Sequence, residues 1–337
     1  MLRIVFMGSD EIALPALNWL AGEESGPVRL VAVFTQPDRA VGRGQQVQPN
    51  AIKVWAQAHG LPVHQPEKFS DESRALLASY ATDLSLVMAY GHILRQPVIE
   101  TPRLGTVNLH ASLLPKFRGA SPIQTAVARG EKETGVALMR MVLALDAGPV
   151  GDVERVPIAP LDTAKEIEQK IAAACVPLLR RSLPRIAEGT MEFVDQDHAG
   201  ATYCRRLEKS DGAVDFARPA EELAAHINGL MPWPGCTTEI NGLTIKLGLA
   251  DVWRATEGGT FAPVGLTPGT VVGDEADGLL VATGEGILRL RRLQRPGGKM
   301  LSAAEFGRGM PVSAGTRLPS RPLPTLEAAH PFPRPKN

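Results

Sequence analysis

The chain is poor in cysteine: only Cys175, Cys204 and Cys236 occur in 337 residues. They are odd in number, far apart and in no metal-ligand spacing, which excludes a disulfide framework and a cysteine-built metal centre and suits a reducing compartment. Aromatic residues are scarce at 5%, which argues against a protein that holds single strands by stacking many bases. Neither charge dominates, since Lys+Arg and Asp+Glu both total 36; a protein built wholly around a polyanion would be basic throughout. No apolar run reaches membrane-spanning length. The opening stretch MLRIVFMGSDEIALPAL is interrupted by Gly8, Ser9, Asp10 and Glu11 and lacks a small-residue cleavage ending. It reads as a first strand, and the protein is expected in the cytoplasm.

Phosphate-binding motifs are missing as well. The turn after the first strand, Met7-Gly8-Ser9-Asp10-Glu11-Ile12, has one glycine where a dinucleotide fingerprint needs three. An acidic pair stands where a pyrophosphate would sit. No Gly-Lys-Ser/Thr loop occurs. NAD, FAD and ATP are therefore not expected.

What is present is a chain of ordinary globular composition, 44% hydrophobic and 21% charged, long enough for two domains. In the first half, apolar runs at residues 2–7, 30–35, 84–89, 106–111 and 135–142 alternate with helical patterns at 13–21 and 51–59. This predicts a doubly wound, mostly parallel sheet. Asn50 is placed to cap the helix that Gly60 ends. Residues 162–188 are helical in pattern, with Pro177 and Pro184 expected to break or kink them. Periodicity fades over 191–207, which is read as a linker between a catalytic domain (1–190) and a C-terminal domain (208–317). That second part carries one helix at 221–230 and then short strands, with Asn241-Gly242 as a hairpin turn. It predicts a small barrel or sandwich. Six prolines beyond Leu318 make residues 318–337 an extended or disordered tail.

The residues from Arg289 onward include ten basic and two acidic side chains, a local excess of eight positive charges. Such a run is either a solvated face or a surface for a phosphate backbone.

The segment Val107-Asn108-Leu109-His110-Ala111-Ser112-Leu113-Leu114-Pro115-Lys116-Phe117-Arg118-Gly119 carries the chemistry. Strand side chains alternate, so Asn108 and His110 share a face at the carboxyl end of a predicted parallel strand, where open α/β sheets place their sites. Asp146, in Leu143-Ala144-Leu145-Asp146-Ala147-Gly148, ends the next predicted strand, and an adjacent parallel strand would bring it beside His110. A carboxylate next to an imidazole fixes its orientation and favours its charged form. Amide, imidazole and carboxylate together suit acyl transfer: the amide donates to a developing oxyanion and the other two handle protons. Ser112 lacks a nucleophile elbow, so direct attack by an amine is the simpler chemistry.

These motifs resemble the folate-dependent formyltransferases. The match runs from Asn108 through Pro115, Arg118-Gly119 and Pro122, with Asp146 in a Leu-Asp-x-Gly element. Further segments are similar to those members of the family that act on initiator tRNA: Phe34-Thr35-Gln36-Pro37-Asp38-Arg39 with Gly42-Arg43-Gly44, Met88-Ala89-Tyr90-Gly91, and Met231-Pro232-Trp233-Pro234-Gly235. The resemblance spans the chain to about Arg317. It implies a Rossmann-like N-terminal domain and a small OB-fold-like β-barrel after it, 10-formyltetrahydrofolate as co-substrate, the methionyl amine on initiator tRNA as acceptor, and no metal. By position it makes Asn108, His110 and Asp146 the catalytic trio. Ser112, Leu113, Leu114, Pro115 and Tyr90 become folate contacts, and Arg39, Gly42, Arg43 and Gly44 tRNA contacts. A monomer is expected. Two departures stand out: Ala147 where the family commonly has Thr, and Pro149. An amino-sugar nucleotide as acceptor, or a non-catalytic tRNA- or folate-binding role, stays open on these residues.

Overall fold

In the computed structural model, residues 1–41, 44–254, 265–275 and 277–333 are described. Two compact units form. One comprises Met1–Arg118, Gly135–Val156 and Glu168–Ala201, the other Gly119–Thr134, Pro157–Ile167 and Thr202–Asn337.

The first unit is built on a seven-stranded sheet. Its strands, in spatial order, are Val150–Pro157, Glu133–Arg140, Thr106–His110, Leu84–Met88, Leu2–Gly8, Val28–Phe34 and Val63–His64. From Ile4 to Met7 the first strand is apolar because both its faces are covered; all four residues are fully buried. It pairs in parallel with the strands on either side, Val28–Phe34 and Leu84–Met88. Gly8 ends it because the neighbouring backbone is too close for a side chain: a Cβ there would lie 2.4 Å from the Met88 carbonyl. In the next turn Asp10 accepts from the Ile12 amide at 3.0 Å, so a carboxylate already caps the helical turn where a nucleotide phosphate would need to bind. Asn50 caps the helix Ala51–Ala58 by accepting from the Lys53 amide, a contact typically worth about 1 kcal/mol.

Three expectations are corrected. The strand Glu133–Arg140 is antiparallel to Thr106–His110, with Val107 opposite Arg140 and His110 opposite Ala137. The loop after it therefore opens beside Thr106, whose carbonyl accepts from the Met141 amide, and not beside His110. Second, Pro177 and Pro184 do not end the helix, which runs from Ala164 to Glu188. Ile171, Cys175, Leu178, Leu179, Leu183 and Ile186 are buried along it, and this packed stripe outweighs the local cost of two prolines. Third, the stretch expected as a linker is tied down: Val194 exchanges backbone hydrogen bonds with Val150, and Gln196 is buried.

The second unit is a small antiparallel β-domain with the helix Ala220–Gly229 packed on it. The strand order is Cys236–Ile240, Leu243–Trp253, Ile287–Gln294, Gly278–Ala282, Val271–Glu275, with Leu301–Ser302 pairing onto Ile287–Gln294. The Asn241-Gly242 turn joins the first two strands, both residues having positive φ. Its core gathers Phe216, Leu223, Ile227, Leu247, Leu290 and Phe306 among others. The proline-rich stretch is extended and also anchored. The Arg321 amide donates to the Val214 carbonyl, Leu326 is buried, and Glu327–Ala328 pairs with Tyr203–Cys204.

Candidate functional site

Asn108 and His110 lie two residues apart on the Thr106–His110 strand, so both project from one face. Asn108 is half-buried and His110 is 5% exposed. Its Nε2 is 3.0 Å from the carbonyl oxygen of Phe117. A carbonyl only accepts, so Nε2 carries the hydrogen, and in the neutral ring Nδ1 carries a lone pair. That nitrogen is 3.7 Å from Oδ2 of Asp146, an ion-pair distance and too long for a direct hydrogen bond.

Asp146 reaches this position although the preceding strand points its loop elsewhere. The loop turns at Asp146 itself, whose φ is +46°. Such a left-handed conformation costs on the order of 1–3 kcal/mol for a non-glycine residue, and Asp is among those that tolerate it best. Gly148 closes the excursion; a Cβ there would fall 1.9 Å from the Arg140 carbonyl, so no other residue fits. The side-chain amide of Gln196 donates to the Asp146 carbonyl at 2.9 Å and to the Gly148 carbonyl at 2.7 Å. Gln196 was not singled out in the sequence. It lies 50 residues from Asp146 in a stretch without periodicity, and no local signal marks it.

The remaining expected contacts divide. In the loop after His110, the Ser112 hydroxyl donates to the Lys116 carbonyl at 2.7 Å, which spends it on shaping the loop. Leu113, Leu114 and Pro115 are half-buried beside it. The Tyr90 ring belongs to the core with Phe34, Phe69 and Leu94, and burial raises the pKa of its phenol. What Tyr90 offers at the strand end is its carbonyl, which accepts from Gln36 Nε2 at 3.0 Å. Arg39 is exposed and donates to Gln36 Oε1; Gly44 is exposed; Gly42 and Arg43 lie outside the described residues. Asp38 is held under the usual carboxylate range by hydrogen bonds from Lys53 and Gln65.

An amide donor, an imidazole with one nitrogen anchored, and a carboxylate facing the other nitrogen suit addition of an amine to a carbonyl carbon, with charge developing on oxygen and a proton moving to nitrogen. The comparisons with known proteins agree with that chemistry. The family described as "Formyl transferase" matches residues 2–183, and "Formyl transferase, C-terminal domain" matches residues 206–311. The methionyl-tRNA formyltransferase of Ectopseudomonas mendocina (strain ymp) is 42% identical over 306 residues, covering 90% of this chain and 94% of that protein. That of Pseudomonas paraeruginosa (strain DSM 24068 / PA7) is 43% identical over 306 residues, covering 90% and 95%. Among solved structures, the N-formyltransferase from Helicobacter canadensis, in complex with folinic acid and dTDP-3-aminofucose, superposes with a TM-score of 0.64 at 18% identity, covering 86% of this chain and 99% of that one. The sugar 3N-formyl transferase WlaRD superposes at 0.63 with 16% identity, covering 88% and 98%; at these identities the likeness is one of fold. With both its catalytic and its C-terminal family regions matched and close relatives covered almost end to end, this chain belongs to the formyl transferase family.

Proposed function

We propose that the chain transfers the formyl group of 10-formyltetrahydrofolate to the free amino group of initiator methionyl-tRNA, giving N-formylmethionyl-tRNA for translation initiation. The observation that carries this reading is the approach of His110 Nδ1 to the Asp146 carboxylate beside Asn108 on one strand face. Relatives named methionyl-tRNA formyltransferase at 42–43% identity over 90% of the chain direct it to that acceptor.

The donor supplies the formyl carbon at which the amine adds, and its N10 leaves as the amide forms. The Asn108 side-chain amide donates to the formyl oxygen as negative charge grows there. His110 takes the amine proton at Nδ1, since Nε2 already holds a hydrogen donated to Phe117. Asp146 stabilises the resulting imidazolium from 3.7 Å, and the same proton is returned to the departing N10. The donor set fits this chemistry without a metal: one amide, one imidazole and one carboxylate meet the needs of a carbonyl addition. Leu113, Leu114 and Pro115 line the donor side in this reading, with Ser112 and Tyr90 contributing through the backbone they shape.

In the second unit, Arg292, Arg295, Lys299 and Arg308 are exposed, and we assign them to tRNA phosphates together with Arg39 and the Gly42-Arg43-Gly44 loop. Arg289 and Arg291 are not counted, since both pair with Asp251 and Asp277. Residues 1–190 thus hold the chemistry and 208–317 hold tRNA, in a cytoplasmic enzyme acting as a monomer.

The experiment is transfer of labelled formyl from the donor to charged initiator tRNA, set against uncharged tRNA and amino-sugar nucleotides. Label appearing only on charged tRNA supports the reading. Label on a sugar amine with none on tRNA overturns it.

A further inference from the structure

The part of the site that carries no obvious chemistry is a buried polar strut behind it. Arg118 is 2% exposed and the largest of the fully buried side chains. It donates to Gln196 Oε1 from Nε at 3.2 Å and from Nη2 at 2.7 Å, and to His198 Nδ1 at 2.9 Å. With its oxygen held by a guanidinium, the Gln196 amide can point only one way. Its Nε2 faces the carbonyls of Asp146 and Gly148, 2.9 and 2.7 Å off. One of these carbonyls is that of Asp146 itself, which sits at φ +46°, and the other lies two residues further on.

The other end of the strut touches the imidazole. Arg118 follows Phe117, whose carbonyl accepts the His110 Nε2 hydrogen. Phe117 is itself left-handed at φ +56° and is buried. One backbone step therefore separates the group that orients His110 from the group that, through Gln196, holds the Asp146 turn. Neither left-handed residue is a glycine, so each conformation persists because its surroundings hold it.

We propose that Gln196 and Arg118 are positioning residues for the formyl transfer proposed above: they hold Asp146 at the distance from His110 Nδ1 that the reaction uses. This rests on Asp146 being catalytic. A shift of about an ångström in such a group can cost as much as a hundredfold in rate.

The test is a double-mutant cycle between residues 196 and 146, read by single-turnover formylation of charged tRNA. Gln196→Glu keeps the size and the acceptor for Arg118 but replaces the amide donor with an oxygen that repels both carbonyls. In the wild-type background it should lower the turnover rate roughly tenfold to a hundredfold, with KM for donor and for tRNA each within about twofold and the melting temperature retained. In the Asp146→Asn background, where there is no longer a carboxylate to aim, the same change should cost less than about twofold. If Gln196→Glu does not yield folded protein, Gln196→Asn, an amide too short to span both carbonyls, is carried through the same cycle with the same expectations. An unchanged rate, a loss confined to KM, or an equal loss in both backgrounds would overturn the positioning role while leaving the functional reading intact. Full activity of Asp146→Asn alone would overturn both.

Discussion

The Nε2 hydrogen of His110 is spent on the Phe117 carbonyl, 3.0 Å away, and this one contact leaves Nδ1 as the ring nitrogen that takes a proton in the reaction proposed above. Had Nδ1 been tied to the backbone, the Asp146 carboxylate would face nothing useful. As it stands, the nitrogen that gains a proton in the proposed reaction is the one 3.7 Å from that carboxylate. The gap is wider than a hydrogen bond but too narrow for an atom between the two groups, so a water or the incoming amine that contacts both must reach them from the side.

Removal of either partner should therefore be costly to the reaction and cheap to the fold. His110→Ala is expected to lower the rate of formylation on the order of a hundredfold to ten-thousandfold, the usual worth of a positioned acid–base group. Asp146→Asn keeps the shape and removes the charge, and on the order of a hundredfold is expected there. Circular dichroism should leave both variants indistinguishable from the parent protein. Near-full rates in purified Asp146→Asn would remove the acid–base assignment.

Legibility in the sequence followed the range of the interactions involved. Asn108 and His110 were readable because a strand's period of two is a local property. The parallel core strands were readable because a sheet covered on both faces needs unbroken apolar runs. Strand direction is not local: the run at 135–142 gives no hint that it lies antiparallel beside Thr106–His110, and Asp146 reaches His110 by a loop excursion that periodicity does not encode. Pro177 and Pro184 misled for the related reason that packing of a long apolar stripe, absent from any local window, keeps the helix whole. Gln196 was invisible because it acts through one side-chain amide on two distant carbonyls. The charge excess after Arg289 was legible as a count and misleading as a surface, since Arg289 and Arg291 are matched by Asp251 from another strand and by Asp277 from a turn.

That distinction among arginines is testable through salt. Each phosphate contact contributes about one unit to the slope of log affinity against log salt. Replacement of Arg292 or Arg295 by Ala should lower the tRNA slope by about one and leave the melting temperature nearly unchanged. Arg289→Ala should leave the slope alone and destabilise the second unit, because it removes the arginine that clasps the half-buried Asp251 carboxylate at 2.8 Å and leaves Arg291 alone to hold it. The same loss of slope in Arg289→Ala as in Arg292→Ala would refute the division.

The three thiols should be silent in the native protein. Cys175, Cys204 and Cys236 are all buried, and burial pushes Cys175 up to about 12 and Cys236 higher still. Thiolate is the reactive form, so a disulfide reagent at neutral pH should modify none of them until the chain is unfolded, when all three should titrate. Rapid modification of any one under native conditions would contradict the packing around it.

Acid should weaken the second unit before it touches the carboxylates. His226 is buried on the helix Ala220–Gly229, with Nε2 3.1 Å from the Ala213 carbonyl and 3.2 Å from that of Asp211. Burial lowers its pKa below the ordinary 6.5 by more than those carbonyls restore. The folded state thus keeps the ring neutral where the unfolded chain would take up a proton. Its contribution is fully present above pH 6.5, the unfolded value. It falls as pH drops below that value and levels off once the folded pKa is passed. Melting of the second unit should move to lower temperature between about pH 7.5 and about pH 5.5, and His226→Gln, which has no proton to gain, should show a smaller shift. An equal shift in both proteins would mean that the acid sensitivity lies in other groups.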